Sequence, residues 1–139
     1  MRFQSKLAGY YFEKYILEVA IVTLECGVTA SKLETYQFLQ PVDAWGFPKY
    51  PGKTAILSPE VDLAAELKNF VFVNEPFLRE VDCCLGTWIN PQNQHFYLDI
   101  TTSRRDLNEA RRMALEIGNR EGRRIVALYN SKRGETIYL

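Results

Sequence analysis

The chain has 139 residues, of which 47% are apolar and 24% are charged, and this ordinary globular mixture excludes an intrinsically disordered chain. Lys plus Arg and Asp plus Glu both total 17, so the net charge is zero and a general electrostatic attraction to nucleic acid or to an anionic membrane is excluded. The length suits one core, and we expect residues 1–139 to form a single α+β domain.

The three cysteines and the single histidine limit metal and redox chemistry. Cys26, Cys83 and Cys84 form no Cys-x-x-Cys motif, and one histidine is too few for the usual zinc ligands, so we expect neither a metal nor a cofactor. The longest apolar stretch, residues 15–24, is shorter than the ~20 residues that a bilayer requires, and the N-terminus lacks the features of a signal peptide. The sequence therefore predicts a cytoplasmic protein with reduced thiols and no membrane association.

The first element covers residues 10–25, and its pattern leaves two alternatives. The polar positions Lys14, Glu18 and Glu25 are 4 and 7 residues apart, which favours a helix that ends at Cys26-Gly27. The β-branched residues within 19–23 favour a strand instead. We expect the helix, followed by short strands at 27–30 and 35–39.

The segment 40–52 is the least regular part of the chain. Pro41, Pro48 and Pro51 lie within it, and prolines at this density predict neither a helix nor a central strand. A strand is expected at 53–57. Ser58-Pro59-Glu60 has the N-cap, first-turn proline and first-turn acid of a helix start, and an apolar stripe at helical spacing follows as far as a turn at 74–76.

The last 57 residues predict a ββαββ unit, a mostly antiparallel sheet with a helix on one face. Strands at 83–89 and 95–101 are joined by a hairpin loop, and Ser103 with Asp106 resembles a capping box. A helical stripe from Leu107 follows, with Gly118 and Gly122 as candidate ends. Strands at 123–129 and 135–139 complete the unit, the first of them apolar on both faces and therefore predicted in mid-sheet.

Several short motifs of this C-terminal half resemble a group of small bacteriophage and bacterial proteins of uncharacterised function. The motifs are Leu85-Gly86-Thr87-Trp88, Tyr97-Leu98-Asp99-Ile100-Thr101, the Glu109-Ala110 helix and Arg124-Ile125-Val126-Ala127-Leu128-Tyr129. The chain departs from the group at Arg123-Arg124 and at Leu128-Tyr129-Asn130. The resemblance implies a phage-related or bacterial accessory protein and no particular activity.

The candidate binding residues fall into an aromatic loop and a set of arginines. The loop contains Trp45, Lys49, Tyr50 and Lys53, and it is either a contact surface or a proline-fixed plug of the core. The basic excess lies in residues 101–139, which hold nine Lys or Arg against five Asp or Glu. It predicts either a salt-bridged solvent face or an anion site, with the candidates Arg104, Arg105, Arg111, Arg123 and Arg124.

Three functional hypotheses follow from these residues. The first is a non-enzymatic protein that binds a protein partner or another copy of itself through the loop and the arginines. The second is a protein that holds a small anionic ligand such as a nucleotide, with arginines for phosphate and aromatic rings for the base. The third is an enzyme that uses His95 and Asp99, which alternate with Tyr97 on one face of a strand. A nucleic-acid partner is not expected.

Overall fold

The structure is a computed structural model, which describes the backbone of residues 2–139 and the side chains of residues 7–139. In this part of the chain three helices accompany one antiparallel sheet of eight strands, which confirms the predicted α+β class. The helices are α1 (Arg2–Cys26), α2 (Leu63–Leu78) and α3 (Leu107–Glu121). The strands are β1 (Val28–Lys32), β2 (Gln37–Phe38), β3 (Trp45–Pro48), β4 (Ala55–Leu57), β5 (Cys84–Ile89), β6 (Phe96–Arg104), β7 (Ala127–Asn130) and β8 (Glu135–Tyr138).

The strand order is β2-β1-β5-β6-β3-β7-β8, and every pairing is antiparallel. The long strand β6 shares one edge between two partners, since β4 pairs with its beginning and β3 with its end. The predicted C-terminal ββαββ unit is present, but β3 lies between its two hairpins because it pairs with both β6 and β7.

The three helices cover one face of the sheet and leave the other face without a helix. Leu98 and Ile100 of β6 belong to a core beneath α1 and α2. Thr102 lies on the same face of β6 because strand residues alternate, and its partner Phe47 in β3 belongs to a second core beneath α3. Alternate residues of the same strands therefore point away from all three helices.

The sheet is strongly curled toward its helix-free face. Trp88 lies on β5 and Tyr138 on β8, which are four strands apart and would be about 19 Å apart in a flat sheet. Their ring centroids are only 6.4 Å apart. The helix-free face is thus concave, and the two aromatic rings approach each other across its opening.

The helix predicted at residues 10–25 is confirmed, although α1 begins earlier, at Arg2. Its outward face is unusually apolar: Tyr10, Leu17, Ile21 and Leu24 are all exposed by at least half. The inward face packs Tyr15, Ile16 and Val19 against the sheet. Packing of this inward face against the sheet outweighs the β-propensity of the β-branched residues within 19–23.

The prediction that segment 40–52 contains no central strand is wrong, because β3 lies between β6 and β7. The register explains how Pro48 is accommodated there. Lys49 donates its backbone N–H to Ile100 of β6 at 2.8 Å, so the backbone groups of Pro48, one residue earlier, point to the opposite side. The pairing with β7 involves only Trp45 and Gly46, so the N–H that Pro48 lacks lies outside the part of β3 that pairs with β7.

The boundaries of α2 also differ from the prediction. The N-cap is Asp62, whose carboxylate accepts from the backbone N–H of Ala65 at 3.2 Å, and Ser58 precedes the helix. The predicted turn at 74–76 is absent, since α2 continues through Pro76 to Leu78. Pro76 leaves the carbonyl of Phe72 without its helical donor, and Phe72 lies on the solvent side of α2, where water can hydrate that carbonyl.

The cap predicted for the next helix is displaced by three residues. Asp106 is the N-cap of α3 and accepts from the backbone N–H of Glu109 at 2.9 Å, whereas Ser103 belongs to β6. Gly122, one of the two glycines predicted as possible helix ends, is the C-cap and has a left-handed backbone conformation with φ 67°. Arg104 and Arg105 consequently precede the helix.

Candidate functional site

The concave face of the sheet holds the candidate functional site. Three rows of side chains cross it, each running over β1, β5, β6 and the segment that pairs with β6. The register gives the rows Val28–Trp88–Tyr97–Ile56, Ala30–Gly86–Asp99–Thr54 and Lys32–Cys84–Thr101–Pro48.

The middle row is the reason that a hollow exists. It offers a methyl group at Ala30 and no side chain at Gly86, while the neighbouring row carries the rings of Trp88 and Tyr97. A Cβ at position 86 would lie 2.1 Å from the hydroxyl oxygen of Thr101, so only glycine fits beneath that side chain. Gly46 in β3 flanks Thr101 from the other side, where a Cβ at position 46 would lie 3.4 Å from the Thr101 methyl. Glycines at such positions permit the tight curl of the sheet.

The resulting cavity has a volume of about 570 Å³, and its surface is mainly apolar. This size is typical of cavities that bury small ligands. Trp88 and Tyr97 form one wall, with ring centroids 5.2 Å apart in an edge-to-face arrangement. The loop that leads from β2 to β3 contributes Leu39 and Val42 to the rim.

Asp99 is the carboxylate of the middle row. Its Oδ1 atom accepts a hydrogen bond from the Thr54 hydroxyl at 2.6 Å. Its Oδ2 atom receives no hydrogen bond from the described residues, and Gly86 opposite leaves it uncovered. Burial raises the pKa of Asp99 from 3.8 to about 6, against the opposing effects of the Thr54 hydrogen bond and of the Arg123 charge. The carboxylate is therefore ionised at neutral pH and presents a free acceptor to the cavity.

The remaining polar groups of the cavity are hydroxyls, thiols, cations, the Asp82 carboxylate and the Gln40 amide. Burial raises the pKa of Cys84 to about 12, so its thiol stays protonated and is a poor nucleophile. Three cations line the rim, and each already donates to a backbone carbonyl: Lys32 to Cys83, Arg123 to Thr54 and Arg124 to Leu139. Arg123 and Arg124 retain further N–H groups for a ligand.

Trp45 is not part of a contact surface. It is 2% exposed, packs beneath α3 together with Phe47, and lies 5.8 Å from the guanidinium of Arg133. The structure thus favours the second alternative for the aromatic loop, in which its rings fill the core.

The other predicted residues of the loop are engaged with the end of α2. Lys49 Nζ lies 2.7 Å from Glu80 and 3.0 Å from Asp82, and these two carboxylates raise the pKa of Lys49. Tyr50 donates its hydroxyl to Glu80 at 2.7 Å, and Lys53 lies 4.4 Å from the centroid of the Phe77 ring. These contacts give Lys49, Tyr50 and Lys53 structural partners and leave them outside the cavity.

One group of potential metal ligands occurs among the described residues, at Glu80, Asp82 and Cys83. Lys49 already forms ion pairs with both carboxylates there. Burial raises the pKa of the Cys83 thiol to about 11, which disfavours the thiolate that a metal requires. The arrangement fits a structural ion pair better than a metal centre.

The predicted arginines separate into two groups. Arg123 and Arg124 line the cavity. Arg104 lies in β6 and pairs with Glu109 at 3.5 Å, while Arg105 and Arg111 are exposed and lie outside the cavity lining. The five arginines therefore do not form one surface.

His95 and Asp99 do not form a catalytic pair. They are four positions apart in an extended segment, which places their Cα atoms about 13 Å apart. His95 precedes β6 and does not line the cavity, whereas Asp99 and Tyr97 do.

Sequence reasoning placed Tyr97 and Asp99 on a common face but missed the residues that complete the site. These are Trp88, Gly86, Ala30 and Thr54, and they come from three other segments of the chain. The glycine within the predicted strand 83–89 was the available signal, since a glycine there indicates a bend or a close approach. The partner strands could not be identified without the register.

No protein-family model, curated protein or solved structure matches this sequence. Among the described residues, none of the helices combines the length and the apolar character needed to cross a membrane.

Proposed function

We propose that this protein binds a small molecule in the concave cavity of its sheet and acts as a binding protein. The observation that carries the proposal is the free Oδ2 atom of Asp99 inside an apolar cavity of about 570 Å³. The Asp99 carboxylate is half-buried. Its partial desolvation lowers stability unless something compensates for it, and a ligand that donates a hydrogen bond supplies that compensation.

Tryptophan fluorescence tests this proposal, because the two tryptophans differ in position. Trp45 lies in the core and Trp88 in the cavity wall, so a Trp45→Phe variant reports on the cavity alone. The apolar dye ANS should quench Trp88 by energy transfer when it occupies the cavity. We expect Ala30→Leu, which fills the hollow, to weaken dye binding by at least about tenfold.

The matched control is Ala65→Leu, which places the same side chain on the exposed side of α2. It should leave dye binding unchanged. Equal binding by the wild type and by Ala30→Leu, or no binding at all, would contradict the proposal. Native mass spectrometry of the freshly purified protein would in addition detect a ligand that is retained from the cell.

The enzyme hypothesis has weaker support. Asp99 has a pKa near 6, which suits a general base, and it lies in a cavity. The described lining nevertheless contains no histidine, and burial keeps two of its three thiols, those of Cys83 and Cys84, protonated. A carboxylate that acts without a second catalytic group fits ligand recognition better than turnover.

Self-association remains a prediction, and its proposed surface changes. The aromatic loop is engaged within the fold, whereas α1 exposes the apolar side chains of Tyr10, Leu17, Ile21 and Leu24. The oligomer mass from native mass spectrometry tests this prediction: a monomer at micromolar concentration would count against it.

A further inference from the structure

We infer that the ligand is a nucleotide-type molecule, whose flat heterocycle donates an N–H group to Asp99 in the hollow beside Gly86 and whose anionic group lies at Arg123 and Arg124. The inference depends on the proposed function and adds the ligand class. Three features of the cavity support it, namely the acceptor in its floor, the aromatic wall and the cations of its rim.

The first feature is the hydrogen-bonding character of the floor. Thr54 occupies Oδ1 of Asp99, and Oδ2 has no donor among the described residues. An ionised carboxylate only accepts hydrogen bonds, so the complementary ligand edge must carry N–H or O–H donors. The Thr101 hydroxyl leans over Gly86 and forms no hydrogen bond with the described residues, so it can donate to an acceptor on the same ligand edge. Neighbouring donors and acceptors on one edge are the pattern that nucleobases display.

The second feature is the shape of the hollow. Ala30 and Gly86 are adjacent across β1 and β5, and the rings of Trp88 and Tyr97 rise next to them. A floor without bulky side chains beside an aromatic wall suits a flat ring, since base–aromatic stacking contributes about 1–3 kcal/mol for each base.

The third feature is the charge of the lining. Lys32, Arg123 and Arg124 face two carboxylates, Asp82 and Asp99. Asp82 is paired with Lys49 and Lys32 lies 3.7 Å from Glu34, so the positive charge that the rim offers to a ligand comes from Arg123 and Arg124. Arginine N–H groups that are not used by Thr54 and Leu139 are suited to a phosphate. A cationic amine could pair with Asp99, but the positive charges of Lys32, Arg123 and Arg124 would repel it.

Isothermal titration calorimetry with GMP, AMP, CMP and UMP tests the inference, with the corresponding nucleosides as matched ligands without the phosphate. At least one nucleotide should bind. Asp99→Asn should weaken it by at least about tenfold, since the amide replaces an acceptor by a donor. Arg124→Gln should weaken the nucleotide several-fold and leave the nucleoside nearly unchanged.

Two variants outside the cavity serve as controls. Glu116→Gln and Arg111→Gln make the same chemical changes on the exposed face of α3 and should leave the affinity unaltered. If ANS binds in the cavity and no nucleotide does, the ligand class is wrong and the proposed function stands. If neither binds, both are wrong. A nucleotide that binds Asp99→Asn as well as the wild type would refute the role of Asp99.

Discussion

At the scale of single residues, Asp99 shows how the site differs from the rest of the molecule. The other carboxylates with displaced pKa values, Asp43, Glu80 and Asp82, all have pKa values lowered by hydrogen bonds from partners that compensate their charge. Of these four carboxylates, Asp99 alone has its pKa raised. A side chain whose ionised form is disfavoured in the folded protein lowers stability at neutral pH, which is typical of functional positions.

We therefore predict that Asp99→Asn stabilises the ligand-free protein at neutral pH. The unfolded carboxyl ionises near pH 3.8 and the folded one near 6, so between these values the folded state holds the extra proton and stability falls as pH rises. The free energy of unfolding falls by at most about 3 kcal/mol. Each pH unit between the two pKa values corresponds to about 1.4 kcal/mol, and partial solvent contact reduces the effect. The asparagine variant has no carboxyl group at this position, so its free energy of unfolding does not fall in this way.

Urea unfolding of both proteins between about pH 4 and pH 7.5 measures the difference. Titration of Asp43, Glu80 and Asp82 is common to both, so subtracting the two curves isolates Asp99. A variant that is less stable than the wild type at pH 7.5 would contradict the prediction.

At the scale of elements, a chain of buried threonine hydroxyls joins α1 to the sheet. Thr23 of α1 donates to the backbone carbonyl of Val19 at 2.7 Å. Its oxygen lies 2.6 Å from the Thr87 hydroxyl of β5, which lies 2.6 Å from that of Thr29 in β1. Because Thr23 uses its proton on Val19, Thr87 must donate to Thr23 and Thr29 to Thr87.

Thr87→Val should consequently destabilise the protein by about 1–3 kcal/mol, since it leaves the buried Thr29 hydroxyl without an acceptor. Thr87→Ser keeps the hydroxyl and loses only a methyl group, so its loss should be about 1 kcal/mol. Chemical denaturation of the two variants provides the comparison. An equal loss in both would show that packing and not the hydroxyl chain determines the effect.

The element scale also shows what sequence reasoning can and cannot predict. The stripe of α3 and the alternation of β6 are local patterns, and both elements are found close to their expected positions. The central strand β3 was missed because Pro48 is tolerated only where the pairing of β3 with β7 has stopped, and this depends on register. The cavity also depends on register, because its floor forms only when four distant segments of the chain pair. The residues that become neighbours in this way are Ala30, Gly86, Asp99 and Thr54.

At the scale of the whole molecule, the positions of the helices and the curl of the sheet together create the site. All three helices pack on one face, so the concave face is free of them. The curl brings β8 toward β5, where Trp88 and Tyr138 meet across the opening. Access to the cavity thus depends on the C-terminal hairpin β7–β8, whose outer strand has a single neighbour in the sheet.

We predict that Tyr138→Ala opens this side of the cavity at little cost in stability. Tyr138 is 42% exposed, and an aromatic pair of this kind contributes about 0.5–1.5 kcal/mol. In the Trp45→Phe background, the emission of Trp88 should shift to longer wavelength and acrylamide should quench it more efficiently, because water reaches the indole ring. Tyr10→Ala, which removes an exposed tyrosine from α1, is the control and should leave both properties unchanged. An unshifted Trp88 spectrum in Tyr138→Ala would mean that β8 does not shield the cavity, and the curl alone would then have to account for its enclosure.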